Sequence, residues 1–194
     1  MNLRRGLALL GALLLTACRP GEEAPRAQAR PTQTPPVEAP PAERDDEAAA
    51  VACDPIEEPP QQSGSHLIGD REPPVPYSST PPTSGWHASG AFTIAVHGPD
   101  DPLSEPMQVS VLEAGGVVVT YRDLSNDERT TLEEHVRQHH DGRVAVTPYP
   151  QLDPGHVAFT AWGTLQRCPE LDLAALDAFV AEHADEDPDT PGTH

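Results

Sequence analysis

The chain has 194 residues, of which 24 are proline and 4% are aromatic, so a good part of it is expected to be extended and unpacked. Its 31 acidic residues outnumber 12 basic residues and give a formal net charge of −19 at pH 7. Such a chain is not expected to bind nucleic acid, because phosphate recognition needs clustered positive charge. The length leaves room for one folded domain of roughly 130 residues.

The first 17 residues have the pattern of a bacterial secretory signal. Arg4 and Arg5 precede an apolar run, residues 7–15, which is too short to cross a bilayer because spanning takes about 20 residues. The sequence LTAC at residues 15–18 resembles the bacterial lipobox. The resemblance implies that Cys18 becomes the first residue of the mature protein and carries fatty acyl chains such as palmitate. An ordinary secreted protein with a coincidental cysteine is the alternative.

Acylation of Cys18 predicts a membrane-anchored protein of the cell envelope. Arg19 follows it where an aspartate would retain the protein at the inner membrane by enterobacterial analogy, so the periplasmic face of the outer membrane is expected if two membranes are present. Residues 18–50 are rich in Pro, Ala and Glu and predict a disordered tether. Residues 187–194 predict a frayed tail. The folded domain is then expected over residues 51–186.

Acylation of Cys18 leaves two cysteines, Cys53 and Cys168. The cell envelope is oxidising in many bacteria, so a disulfide between them is predicted. Two separate thiols are the alternative.

Within the domain, runs of β-forming residues predict five strands. They are residues 91–97, 107–113, 115–121, 143–149 and 156–164. The run at 115–121 is almost continuously apolar, as in a strand buried on both faces.

Two helices are predicted, and they complete the fold class. Ser125 and Glu128 form a capping box before the first, residues 126–140. The second, residues 170–183, places Leu176 and Phe179 on one face. The sequence predicts an α/β or α+β domain, with one mixed sheet of about five strands and two helices packed on it.

Residues 77–87, YSSTPPTSGWH, predict an ordered loop rather than a linker. Two adjacent prolines keep the backbone extended, and Gly85 permits a turn that holds His87 in a defined place. Together with GSHLIGD, VLEAGGVVVTY, VTPYPQL and FTAWGTL in this order, the loop resembles bacterial domain-of-unknown-function family 3105. The resemblance covers about residues 60–182 and implies no established activity.

The resemblance implies a set of histidines. His66 and His87 match the first two family histidines, and Glu113 matches the glutamate of a Leu-Glu motif. Ser110 and Ala114 stand where family members carry two further histidines.

A Cu or Zn site formed by His66, His87 and Glu113 is therefore one hypothesis, because both metals accept imidazole nitrogen and carboxylate oxygen. His97 or His156 would complete the ligand set.

Other candidate sites are weaker. His135 and His139 share a helix face, but they do not form His-Glu-x-x-His, and a solvated or core-edge role is favoured. Ser84 lies near His87 without a Gly-x-Ser-x-Gly elbow, so an enzyme is not favoured.

Two functions are compatible with these sequence features. The first is a non-catalytic interaction or structural module of the envelope, favoured by the two absent family histidines. The second is an extracytoplasmic Cu- or Zn-binding domain. The expected partners are the membrane, through the lipid anchor at Cys18, and an envelope protein.

Overall fold

The computed structural model describes residues 52–69 and 71–185, all within one unit, Asp46–His194. The predicted signal peptide (1–17), Cys18, the tether (18–50) and the tail (187–194) lie outside the described residues. In chain order the elements are β1 His66–Leu67, β2 His87–Ala88, α1 Glu105–Glu113, β3 Val117–Tyr121, α2 Asn126–His139, β4 Val144–Pro148, β5 Val157–Ala161, β6 Thr164–Cys168 and α3 Leu173–His183.

A mixed four-stranded sheet with the order β4-β3-β5-β6 carries the core. β3 pairs in parallel with β4, with Val117 opposite Val144, and antiparallel with β5 on its other side. Every residue of β3 is buried, as the apolar run predicted. β1 and β2 form a separate two-stranded parallel sheet. The sheets and helices confirm a small α+β domain.

Both predicted helices form and pack through the predicted faces. Leu132 and Val136 of α2 are buried, and so are Leu176, Phe179 and Val180 of α3. These side chains join the inner face of the sheet in one apolar cluster. Burying this much apolar surface is the main favourable contribution to folding.

The prediction of a strand at residues 107–113 is wrong, because this segment forms α1. Val109 and Val111 alternate with polar residues, which imitates a half-buried strand. The polar residues are buried too: Gln108 donates from Nε2 to the Leu103 carbonyl, and Ser110 contacts the Ala88 carbonyl. Residues 108–112, more than one full turn of α1, are all buried, so this stretch has no polar face and its sequence lacks the helical period.

Two other strand predictions need correction. Residues 91–97 form no strand, and only Val96 makes a bridge, to Val146 in β4. β6 was not predicted, because its sequence TLQRC is largely polar and half-buried. It pairs with β5 through a hairpin in which Gly163 adopts a positive φ of 74°.

The predicted disulfide between Cys53 and Cys168 is present, with an S–S distance of 2.03 Å. Next to it, the Asp54 amide donates to the Arg167 carbonyl, and Glu57 exchanges two backbone hydrogen bonds with Leu165. The segment that precedes β1 is therefore held along β6 by a covalent bond and a short antiparallel ladder.

The capping box of α2 gives a stability prediction. Ser125 Oγ accepts from the Glu128 amide, and the Glu128 carboxylate accepts from the Ser125 amide. Hydrogen bonds from the Ser125 side chain and backbone lower the pKa of Glu128 below its ordinary value of 4.5. We expect Ser125→Ala to lower the free energy of unfolding by about 1 kcal/mol near neutral pH.

The pH dependence follows from the lowered pKa. Glu128 stabilises the fold above its unfolded-state pKa, and this contribution is lost as pH falls through the lower folded-state value. Urea unfolding should therefore show a smaller difference between wild type and Ser125→Ala at about pH 3 than at about pH 7. Ser104→Ala is the control, because Ser104 occupies the N-cap of α1 without a side-chain capping bond. An equal loss in both variants would contradict the prediction.

Candidate metal centre

β1 and β2 place two histidines side by side. In this parallel pair His66 lies opposite His87, and the ring centroids are 4.5 Å apart at an interplanar angle of 78°. The two rings are thus close enough to share one metal ion. His87 is buried, whereas His66 is exposed.

The C-terminal end of α1 adds a carboxylate to this pair. Glu113 Oε2 lies 3.0 Å from His87 Nε2, and the Glu113 side chain is 40% exposed. One ligand atom from each of His66, His87 and Glu113 can be chosen so that all three lie within 4.8 Å of one another. The structure therefore brings together all three predicted ligands.

The proton on His87 is assigned by its neighbours. Nδ1 lies 3.0 Å from the Gly85 carbonyl, which can only accept, so Nδ1 carries a proton. In the neutral ring Nε2 then has a free lone pair, and it faces a carboxylate oxygen that is also an acceptor. Although Nε2 and Oε2 are 3.0 Å apart, they are not aligned for a hydrogen bond, and this buried nitrogen has no hydrogen-bond partner.

Two facing acceptors require a cation between them. A proton on Nε2 would make the ring an imidazolium, but without the alignment of a hydrogen bond. A metal ion accepts lone pairs from both atoms at separate coordination positions. Bonds of about 2.1 Å put the two ligand atoms about 3.0 Å apart at the right angles of tetragonal Cu(II), and about 3.4 Å apart at tetrahedral Zn(II). The orphaned nitrogen and its carboxylate therefore fit a metal ion.

The site opens to a cavity of about 370 Å³. His87, Glu113 and Trp162 line it together with the residues around Gly64 and Gly85. A larger cavity of about 950 Å³ lies beside residues 71–77 and the start of α1, but no histidine lines it. Of these two cavities, the smaller one is therefore connected to His87 and Glu113.

A close backbone contact positions β1 against β2. A Cβ built on Gly64 would lie 2.0 Å from the carbonyl carbon and oxygen of Gly85, so only glycine fits at position 64. Gly85 itself has a φ of 118°, a conformation that L-residues rarely adopt. These two glycines bring His66 alongside His87.

The loop at residues 77–87 is ordered and largely buried, as the sequence predicted. Tyr77 donates to the Trp86 carbonyl at 2.5 Å, and Gly163 in the β5–β6 turn donates to the Thr83 carbonyl. The backbone N–H of Gln62 donates to Ser84 Oγ. The side chain of Gln62 donates from Nε2 to the Pro76 carbonyl and accepts at Oε1 from the Ser78 backbone N–H. The loop is a rigid support for His87.

Ser84 is a structural residue in this network. Its side chain is fully buried, and its Oγ accepts from Gln62. The nitrogens of His87 face Gly85 and Glu113 instead of Ser84. This geometry gives no support to a Ser-His nucleophile.

The other histidines proposed for the site lie elsewhere. His97 is 3.7 Å from Asp101, and His156 contacts the Pro154 carbonyl. Neither belongs to a three-residue ligand group within the described part of the chain. His135 and His139 have ring centroids 4.7 Å apart, but His135 pairs with Asp177 of α3, a residue that the sequence did not indicate.

Ser110 and Ala114, which replace family histidines, lie on α1 beside the site. Ser110 Oγ is 3.0 Å from both the Ala88 carbonyl, next to His87, and the Pro106 carbonyl. Ala114 caps the helix directly after Glu113. Neither residue carries an imidazole, so the candidate ligand group among the described residues is His66, His87 and Glu113.

Comparison with known proteins gives one match. The sequence model of the family described as "Protein of unknown function (DUF3105)" matches residues 70–194, so the chain belongs to this family. His87 and Glu113 lie within the match, and His66 lies just before it. No curated protein and no solved structure matches the chain.

The close contact between the backbones at Gly64 and Gly85 leads to a testable prediction for this site. Gly64→Ala should separate β1 from β2, because the new methyl group overlaps backbone atoms that cannot rotate away. We expect the nuclear Overhauser effect between the His66 and His87 rings to disappear, and stability to fall by about 1–3 kcal/mol.

Gly98→Ala is the matched control, because a Cβ at Gly98 meets nothing within 4 Å and neither glycine has a positive φ. This variant should keep both the ring contact and the wild-type stability. If Gly64→Ala left the ring contact unchanged, the close approach would not be what positions the histidines.

Proposed function

We propose that this protein is a lipid-anchored protein of the cell envelope, and that its domain binds one Cu(II) or Zn(II) ion through His66, His87 and Glu113. The observation that carries the proposal is the buried, unpartnered Nε2 of His87 facing the Glu113 carboxylate. The companion nitrogen is already satisfied by Gly85, so metal binding needs no change of tautomer.

The ligand set favours these metals. Two imidazoles and one carboxylate suit borderline ions such as Zn(II) and Cu(II), whereas Ca²⁺ and Mg²⁺ prefer oxygen ligands alone. Thiolate ligation is not available from Cys53 and Cys168, since both are in the disulfide. Three protein ligands on a four-coordinate ion leave one position toward the cavity, where water or an exchange partner would bind.

The anchor is the second part of the proposal. Signal-like residues 1–17 followed by the LTAC sequence support acylation at Cys18. No helix among the described residues is long and apolar enough to span a bilayer. Delivery to the periplasmic face of the outer membrane follows if the organism has two membranes, because Arg19 is not an aspartate.

Metal titration tests the binding function. We expect calorimetry of the oxidised protein with Cu(II) and Zn(II) to give a Kd below about 1 μM for the strongest site. Glu113→Gln keeps the shape of a partly exposed side chain and should weaken that site at least tenfold, which corresponds to about 1.4 kcal/mol. His66→Ala should act in the same direction.

His156→Ala is the control, because it removes an imidazole outside the site and should leave the affinity unchanged. Absence of binding to the wild type would overturn the metal proposal. It would leave a non-catalytic interaction module as the function to pursue.

The anchor is tested separately. Cys18→Ser should abolish labelling by a palmitate analogue and move the protein from the membrane fraction to the soluble fraction. Cys53→Ser should retain the label, because Cys53 is paired with Cys168 in the domain. Labelling that persists in Cys18→Ser would contradict acylation at this residue.

A further inference from the structure

A second group of candidate ligands lies where the end of α2 meets α3. The Nε2 atoms of His135 and His140 each lie 2.7 Å from the same carboxylate oxygen, Oδ1 of Asp177. The two ring centroids are 5.6 Å apart. His140 is largely buried, and the Asp177 side chain is 49% exposed, so the group opens to solvent on one side.

The break at the end of α2 creates this arrangement. Residues five apart in a regular helix point in different directions, because each residue advances about 100°. His140 is the C-cap of α2, and its φ of −137° takes it out of the helix. Its ring can therefore approach Asp177 together with that of His135. The expected partner of His135, His139, is exposed and lies outside the ligand group.

We propose that His135, His140 and Asp177 form a second binding site for a divalent transition-metal ion that takes imidazole nitrogen and carboxylate oxygen, such as Zn(II) or Cu(II). One ligand atom from each residue lies within 4.8 Å of the other two. The group shares no residue with the centre at His66, His87 and Glu113.

The metal-free contacts are hydrogen bonds, and an ion would replace them. Two Nε2–H groups donate to Oδ1, which draws three potential ligand atoms around one point. Burial raises the pKa of Asp177, but the hydrogen bonds from His135 and His140 outweigh it and hold that pKa below its ordinary value. The carboxylate is therefore ionised, as a metal ligand must be. A tetrahedral ion needs ligand atoms about 3.4 Å apart, so each Nε2 would move about 0.7 Å away from Oδ1, from the present 2.7 Å.

The second site should be weaker than the first. When a metal takes Nε2 of a neutral imidazole, the ring proton moves to Nδ1. His140 Nδ1 is buried without a hydrogen-bond partner, so the proton arriving there has no acceptor. In the first centre Gly85 already accepts the corresponding proton of His87. The first centre therefore fills before the second.

The test uses the full chain with the first centre weakened by Glu113→Gln, so that binding by the second group can be measured independently of the proposed function. Titration of this protein with Zn(II) should still show one binding event. Adding Asp177→Asn should weaken that event at least tenfold, whereas adding His139→Ala should leave it unchanged. Asp177→Asn and His139→Ala alter a half-exposed and an exposed side chain, so both variants should still fold.

Histidine ring nitrogens give a second readout. In ¹⁵N spectra of the Glu113→Gln protein, Zn(II) should shift Nε2 of His135 and His140 and move their protons to Nδ1. Two results would overturn the proposal: no Zn(II) binding by the Glu113→Gln protein, or binding that Asp177→Asn leaves unchanged. If His139→Ala abolished the binding that Asp177→Asn retains, the ion would be assigned to the His135–His139 pair.

Discussion

The candidate centre depends on one steric constraint, the contact between the backbones at Gly64 and Gly85. Each strand of the β1–β2 pair has two residues, which is too short to be stable alone. What holds the pair is its surroundings: the segment before β1 is fixed along β6, and the loop before β2 is clamped by Gln62. The glycine contact lets these two supported segments approach until their histidines meet.

The two histidine clusters differ in how each ring nitrogen is satisfied. In His87 a backbone carbonyl accepts a hydrogen bond from Nδ1–H, which leaves the Nε2 lone pair facing Glu113. In His140 the carboxylate of Asp177 accepts a hydrogen bond from Nε2–H, and Nδ1 remains buried without a partner. The two histidines therefore carry the proton on different ring nitrogens, because different groups accept a hydrogen bond from each ring. Groups that contact a metal ligand from outside the metal site commonly fix its tautomer in this way.

Much of the architecture could be predicted because its signals are local. The apolar run of β3, the capping box of α2 and the apolar face of α3 each lie within one short stretch of sequence. α1 could not be recognised, because its residues 108–112 are all buried and leave no polar face there, and β6 is too polar to resemble a core strand.

The site residues also differ in whether they could be predicted from the sequence. His66, His87 and Glu113 were predicted through the family resemblance, since no periodicity relates residues from two separate short strands and a helix end. Asp177 was missed, because it is 42 residues from His135 and only the packing of α3 on the core brings them together. The requirement for glycine at position 64 is likewise a property of the folded backbone.

The disulfide also determines how the domain carries mechanical load. Tension applied to the chain on the N-terminal side of Cys53 passes through the sulfur bridge into Cys168, at the end of β6 and just before α3. The residues from Asp54 to the centre run in a branch beyond that junction and bear no direct pull. When the domain is pulled between its N-terminal and C-terminal ends, the hydrogen bonds around His66 therefore stay unloaded, because the force bypasses them through the covalent bond between Cys53 and Cys168.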